Sequence, residues 1–168
     1  MRCEEISFIL FSDREQSVWN LLTDLPQTSR SLPIVLIRAR ENVMAPIRKM
    51  LLKSGITEQQ WRVLRVLSEV GPVDSSTLAE RASIPFPSLT RIAHSMAERG
   101  LISQRRDTRD RRRQTVSITD DGAQIIADNM AEATRIVARF KEHLGADNYE
   151  TLLDLLTALD GLDANQTD

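Results

Sequence analysis

Between Arg99 and Arg113 the sequence sets seven arginines against two acids, Asp107 and Asp110. A run with that excess repels itself unless a polyanion neutralises it, and duplex phosphate is the partner that fits. Pairing with phosphate releases condensed counterions, and a guanidinium entering a narrow minor groove meets enhanced negative potential. Arg106, Asp110, Arg111 and Arg112 stand inside this run. The bland alternative is a solvated loop holding internal ion pairs. Just upstream, Ser88, Thr90, Arg91 and His94 fall on the polar side of a helical pattern over 86–99. There an arginine can pair bidentately with guanine and hydroxyls can meet phosphate, against the competing reading of an ordinary exposed helix face. Two signals for duplex DNA, placed next to each other, reinforce one another.

Other chemistries find less support. His94 and His143 lie on different predicted helices with no carboxylate cluster beside either, so no metal is expected. Cys3 is the single cysteine, without a resolving partner, and Glu4 and Glu5 beside it raise a thiol pKa rather than lower it. Six scattered glycines form no phosphate-cradling loop, and no nucleophile, base and orienting group stand together. The expectation is a protein that is not an enzyme and carries no cofactor.

The 168 residues, 41% of them hydrophobic, suit one ordinary domain with room for an appendage. The net charge of -2 conceals a strong segregation. Residues 32–118 hold 16 basic and 8 acidic side chains, whereas residues 119–168 hold 3 and 11. A basic region beside an acidic one is the pattern of a nucleic-acid binder joined to an oligomerisation segment. No apolar run approaches the roughly 20 residues that span a bilayer. The short apolar stretch Ile6 to Phe11 follows two acids where an export signal carries positive charge, so a cytoplasmic location is expected.

These groups must be positioned by a largely helical frame. Residues 1–31 read as an N-terminal arm or extra helix ending in the polar stretch 27–31. From Leu32 to Leu52 apolar residues recur near helical spacing, with Pro46 predicted to kink the helix or end its first half and Gly55 to cap it. Thr57-Glu58-Gln59-Gln60 has the form of a capping box ahead of Trp61, Leu64, Leu67 and Val70. Asp74 caps a short third helix with Leu78, Ala79 and Ala82 inward, and Ser83-Ile84-Pro85 turns into a fourth that buries Leu89, Ile92, Ala93 and Met96. Leu101–Gln104 and Gln114–Thr119 bracket the arginine run as a hairpin, or wing. Thr119 then caps a long acidic-started helix with Ile126, Met130, Ala133, Val137 and Phe140 on one stripe, and a leucine-rich helix follows.

Ser88-Leu89-Thr90-Arg91, Glu98-Arg99-Gly100-Leu101-Ile102 and Asp107-Thr108-Arg109-Asp110-Arg111-Arg112, followed by Val116-Ser117-Ile118-Thr119, closely resemble the MarR family of winged-helix transcription regulators. The resemblance covers about residues 32–160. Arg40-Glu41, Leu51, Thr57-Glu58-Gln59-Gln60-Trp61-Arg62 and Pro87-Ser88-Leu89-Thr90 look most like the repressors of homoprotocatechuate (3,4-dihydroxyphenylacetate) degradation within it. It implies a mainly α fold with a small β-wing and six or so helices, forming an intertwined homodimer. Residues 32–56 and 119–168 would be the dimerisation region, and 57–118 the winged helix-turn-helix. The partners implied are double-stranded DNA at a palindromic operator, a second copy of the chain, and no membrane.

In family terms Arg112 matches the minor-groove finger and Asp110 the acid that braces the wing. Such regulators often respond to a small aromatic acid, here 3,4-dihydroxyphenylacetate by resemblance. Trp61 is the candidate apolar wall and Arg38 or Arg40 the carboxylate partner; core packing and an interhelical ion pair are the alternatives. The function implied is repression of an aromatic-acid catabolic operon, relieved by the acid. A protein-interaction module on the same scaffold, without DNA binding, is the other reading; intact Arg91, Asp110 and Arg112 count against it.

Overall fold

The computed structural model describes residues 27–106 and 114–162, with Arg106 described in its backbone alone. Cys3, most of the N-terminal arm and the wing residues Asp110, Arg111 and Arg112 lie outside the described residues. The described part holds six helices and three strands: α1 (Leu32–Lys53), α2 (Glu58–Val70), β1 (Val73–Asp74), α3 (Ser75–Arg81), α4 (Phe86–Glu98), β2 (Ile102–Arg106), β3 (Gln114–Ile118), α5 (Asp120–Leu144) and α6 (Ala146–Asp160). The chain forms two compact units, Met1–Met44 and Ala45–Asp168.

In the first unit, the opening of α1 leaves Leu32, Val35, Ile37 and Val43 exposed. Of the two outcomes that the sequence left open at Pro46, a kink or an end to the first half, the second does not occur: one helix runs through the proline to Lys53. A proline forfeits one backbone donor and strains the preceding turn, yet the helical residues on both sides maintain the element.

In the second unit, Met50 and Leu51 enter the core and α1 ends as predicted at Gly55. The Ile56 amide donates to Leu51 O and the Gly55 amide to Leu52 O, a Schellman closure with Gly55 at φ +62° and Ile56 buried. The capping box is present: the Gln60 amide donates to Thr57 Oγ1 at 3.2 Å and the Thr57 amide to Gln60 Oε1 at 3.0 Å. Val63, Leu64 and Leu67 of α2, Leu78 and Ala79 of α3, and Leu89, Ile92, Ala93 and Met96 of α4 form one core with Ile102 and Val116. Each large side chain so buried contributes about 1.5–3 kcal/mol.

The wing is a three-stranded antiparallel sheet in the order β1-β3-β2. Ile102 pairs with Ile118 and Arg106 with Gln114, so β2 extends two residues beyond the predicted Gln104. The sequence reading missed β1, in which Val73 pairs with Val116 and Asp74 with Thr115. Two residues are too few to show an alternating pattern. Thr119 caps α5 as predicted, accepting from the Gly122 amide and donating to Gly100 O. Gly122 lets this first turn lie against the wing, for a Cβ there would stand 2.1 Å from Leu101 O.

The predicted stripe of α5 divides in the structure, with Ala133 and Phe140 packed against the core. Ile126 is buried, but Met130 and Val137 are exposed, and the buried positions beyond Ile126 are Asn129 and Ile136. Asn129 is accommodated because its amide nitrogen donates to Ser54 Oγ at 2.6 Å and to Ile125 O at 2.9 Å. Beyond Gly145, α6 buries no residue at all. Lys141 spans the corner to Glu150 at 2.8 Å, and this pairing raises the lysine pKa.

Candidate nucleic-acid interface

The element that presents chemistry outward is α4. Its inward positions Leu89, Ile92, Ala93 and Met96 are all buried, which turns Thr90, Arg91 and His94 outward and leaves Ser88 half-exposed. Thr90 Oγ1 donates to Phe86 O at 3.1 Å, steadying the first turn while its lone pairs stay available. His94 Nε2 lies 3.4 Å from Glu98 Oε1, one turn on. The four residues named from spacing thus share the outer side of one helix.

How α4 is held is the less obvious part. Helix α3 ends in a second Schellman closure, with the Ile84 amide donating to Ala79 O and the Ser83 amide to Glu80 O. The left-handed position here is not glycine but Ser83, at φ +50°. A non-glycine residue there costs about 1 kcal/mol or more and persists only where its surroundings enforce it. Enforcement comes from α2: Arg62 Nη1 donates to Ala82 O and to Ser83 O, at 2.9 Å each. A cation so placed also favours the carbonyl end of α3.

The far end of α4 is tied as well. Arg99 Nη2 donates to Gly55 O at 3.1 Å and Nη1 to Gln60 Oε1 at 3.4 Å, joining the end of α4 to the α1–α2 junction. One of the seven arginines in the basic run is therefore a brace within the protein. Neither arginine brace was legible beforehand, because the acceptors are mostly backbone carbonyls, which leave no mark on residue type.

Asp74 occupies the entry to α3. Its carboxylate accepts the Ser76 amide at 2.9 Å, the Thr77 amide at 3.0 Å and the Thr77 hydroxyl at 2.7 Å. The bonds from Thr77, foremost its amide, hold the carboxyl below its ordinary pKa.

The residues nominated for an effector belong to both units. Trp61 is half-buried and packs against the core cluster, while Arg38 and Arg40 are exposed on the first half of α1. A cavity of about 620 Å³ opens between the second half of α1 and α5, bordered by the cations Lys49, Lys53, Arg135 and Arg139 and the acids Asp128 and Glu132, among others. Trp61 does not line it. Glu132 forms an ion pair with Arg135 at its edge. This cationic rim went unnoticed because its two halves lie far apart in the chain.

A short helix, a tight turn and a polar-faced helix, continued by an antiparallel wing, make a winged helix-turn-helix, a DNA-binding module. The sequence model described as MarR family matches residues 54–113. The HTH-type transcriptional regulator FarR of Neisseria gonorrhoeae is 36% identical over 129 residues, 77% of this chain and 88% of that one. The homoprotocatechuate degradative operon repressor of Escherichia coli is 32% identical over 126 residues, covering 75% and 85%. Among solved structures, NadR in complex with 4-hydroxyphenylacetate superposes with a TM-score of 0.71 at 34% identity, over 83% of this chain and 100% of that one. The chain belongs to the MarR family of DNA-binding winged-helix transcription regulators. Among the described residues, no helix is long and apolar enough to cross a membrane.

Proposed function

We propose that the protein is a cytoplasmic, homodimeric repressor of an aromatic-acid catabolic operon, released from its operator by a small phenolic carboxylate. The observation that carries the DNA half is the outward face of α4, where Ser88, Thr90, Arg91 and His94 lie on the side opposite the buried residues. Arg91 and its neighbours read the major groove, while Arg112 reaches the minor groove from a wing that Asp110 braces, with Arg106 and Arg111 as further DNA contacts. Residues 57–118 form the reading domain, residues 32–56 and 119–168 the dimerisation region, and residues 1–31 an arm.

Support for the dimer comes from α6. Leu152, Leu153, Leu155 and Leu156 are 42%, 43%, 64% and 38% exposed, a stripe that a second copy would cover. Two-fold symmetry then places two reading helices about one DNA turn apart on a palindrome. Support for a phenolic acid comes from the relatives, one a homoprotocatechuate repressor and one holding 4-hydroxyphenylacetate. Trp61 with Arg38 or Arg40 would seat it. The cationic cavity between α1 and α5 is a second seat of suitable size, since small-molecule pockets run from about 300 to 1,000 Å³.

The deciding experiment is fluorescence anisotropy on the duplex upstream of the protein's own gene, over a salt series, with and without 3,4-dihydroxyphenylacetate or 4-hydroxyphenylacetate. Tight, salt-steep binding weakened by either acid supports the full reading. Binding that neither acid alters removes the effector, and no preference over random duplex removes the operator. Arg112→Ala should lower the salt slope by about one phosphate contact. Trp61→Ala should blunt the acid response and Lys53→Ala should not, with the reverse result moving the effector to the cavity.

A further inference from the structure

We infer that Arg62 is a specificity-determining positioning residue, whose guanidinium sets the docking angle of α4 without touching DNA. The inference rests on the reading of α4 as the groove-reading helix. Three features converge on it. Arg62 Nη1 holds two successive carbonyls, those of Ala82 and Ser83, at 2.9 Å each. Those carbonyls belong to the turn that launches α4, where Ser83 takes the left-handed conformation at φ +50°. Pro85 at the entry of α4 provides no side-chain cap, so the helix start has no local anchor of that kind.

The turn is thus fixed from α2, a core helix carrying Val63, Leu64 and Leu67, in addition to its own Schellman bonds. Arg99 closes the opposite end of α4 onto Gly55 and Gln60, so the reading helix is tied at both ends. With the Arg62 tie released, Ser83 can relax toward an ordinary right-handed or extended conformation, and α4 gains freedom to swing about its Arg99 end. Phosphate contacts tolerate such a swing because they are adjustable and sequence-independent. Base contacts do not, since bidentate pairing demands a fixed approach. Arg62 therefore governs discrimination between sequences more than binding as such.

The test compares the full-length wild type with Arg62→Gln and Arg62→Lys on two probes: a duplex selected by the wild-type protein from a random pool, and a scrambled duplex of equal length. Each is titrated over a salt series. For Arg62→Gln the preference for the selected duplex should fall about tenfold or more, with scrambled-duplex affinity and both salt slopes unchanged. Arg62→Lys, which retains a charged multiple donor, should recover part of the preference. A drop in salt slope by about one in Arg62→Gln, restored in Arg62→Lys, would place Arg62 on a phosphate and overturn the inference. Unchanged preference in both variants overturns it too. Should Arg62→Gln fail to fold, Arg62→Lys in the Ser83→Gly background decides. That glycine removes the strain, so a loss of preference relative to Ser83→Gly alone supports positioning and an equal preference refutes it. Arg91→Ala is run alongside. If it keeps full preference while Arg62→Gln loses it, the assignment of Arg91 to base reading fails and the brace stands. If the wild type itself selects no sequence, the reading of α4 and the inference fall together.

Discussion

The reading head and the last helix treat the same kind of residue in opposite ways. In α4 four apolar side chains point inward and every one is buried, whereas α6, with five leucines, buries none. The head solves its packing within the chain: α2, α3, α4 and the wing close on one core. For α6 the solution we propose lies outside the chain, in a second copy. Intramolecular burial sets the shape of the DNA-reading surface, and intermolecular burial would set the distance between two such surfaces. A repressor that responds to ligand needs the first to be rigid and the second adjustable, since an effector acts only through its differential affinity for two spacings.

The largest expected effect comes from breaking the α6 side of this contrast. Leu152→Glu with Leu156→Glu places two carboxylates one helical turn apart on the exposed stripe, where they leave the chain's own core untouched. Sedimentation should show a monomer, and operator affinity should fall about a hundredfold as one of two linked reading heads is lost. A variant that stays dimeric with full affinity would place the dimer contact elsewhere. Its unfolding midpoint serves as control, because a folded but monomeric variant is the outcome that separates the two regions.

The opposite side breaks at Gly122, where the long helix meets the wing. Any Cβ at this position lies 2.1 Å from Leu101 O and 2.9 Å from Ile118 Cγ1. Gly122→Ala should therefore cost about 2–3 kcal/mol, the scale of a forced backbone shift in a packed core. Denaturant titration reads it as a lowered midpoint at constant slope. A loss below about 0.5 kcal/mol, within the ordinary range for surface sites, would mean that α5 is free to move away from the wing.

A smaller effect tests the outer face of the head. Arg91→Ala should reduce the preference for the operator over random duplex about tenfold, roughly 1.4 kcal/mol, if its guanidinium pairs with a base. Because Arg91 is exposed, the unfolding midpoint should stay within experimental scatter. A uniform loss on all duplexes, with a lower salt slope, would assign it to phosphate instead.

Which parts of this contrast were legible from the sequence follows from the kind of force involved. The inward face of α4, the capping box at Thr57 and Gln60, the Gly55 closure and the Thr119 cap all have local signatures, and all appear where the residues indicate. The partition of α5 was not readable: Met130 and Val137 fit the apolar stripe as well as Ile136 does, and only tertiary packing decided that Asn129 rather than Met130 goes inside. Strand β1 escaped because its two residues gain their character from pairing with β3. Arg62 and Arg99 escaped for a related reason. Their partners are mostly carbonyls contributed by sequence-remote turns, and composition carries no record of a carbonyl's direction.

The smallest effect belongs to the joint between the wing and the head. Asp74 closes the sheet edge against Thr115 and caps α3 through Ser76 and Thr77, so one residue serves both parts. Asp74→Ala should cost about 0.5–1 kcal/mol at neutral pH, the usual worth of an N-cap. The bonds from Thr77 and Ser76 depress the folded pKa, so the unfolded chain binds this proton more readily. The contribution is then fully present above the unfolded value, about 3.9, and is lost as pH falls through the lower folded value. Urea midpoints of wild type and Asp74→Ala should differ at pH 7 and draw together toward pH 2. Asp74→Asn, which still accepts from the helix but carries no charge, should lose less at pH 7, and its gap to the wild type should also close in acid because the proton-linked loss belongs to the wild-type carboxylate. A gap for Asp74→Ala that persists unchanged into acid would mean that the acceptor oxygen, rather than its charge, joins the wing to the reading head.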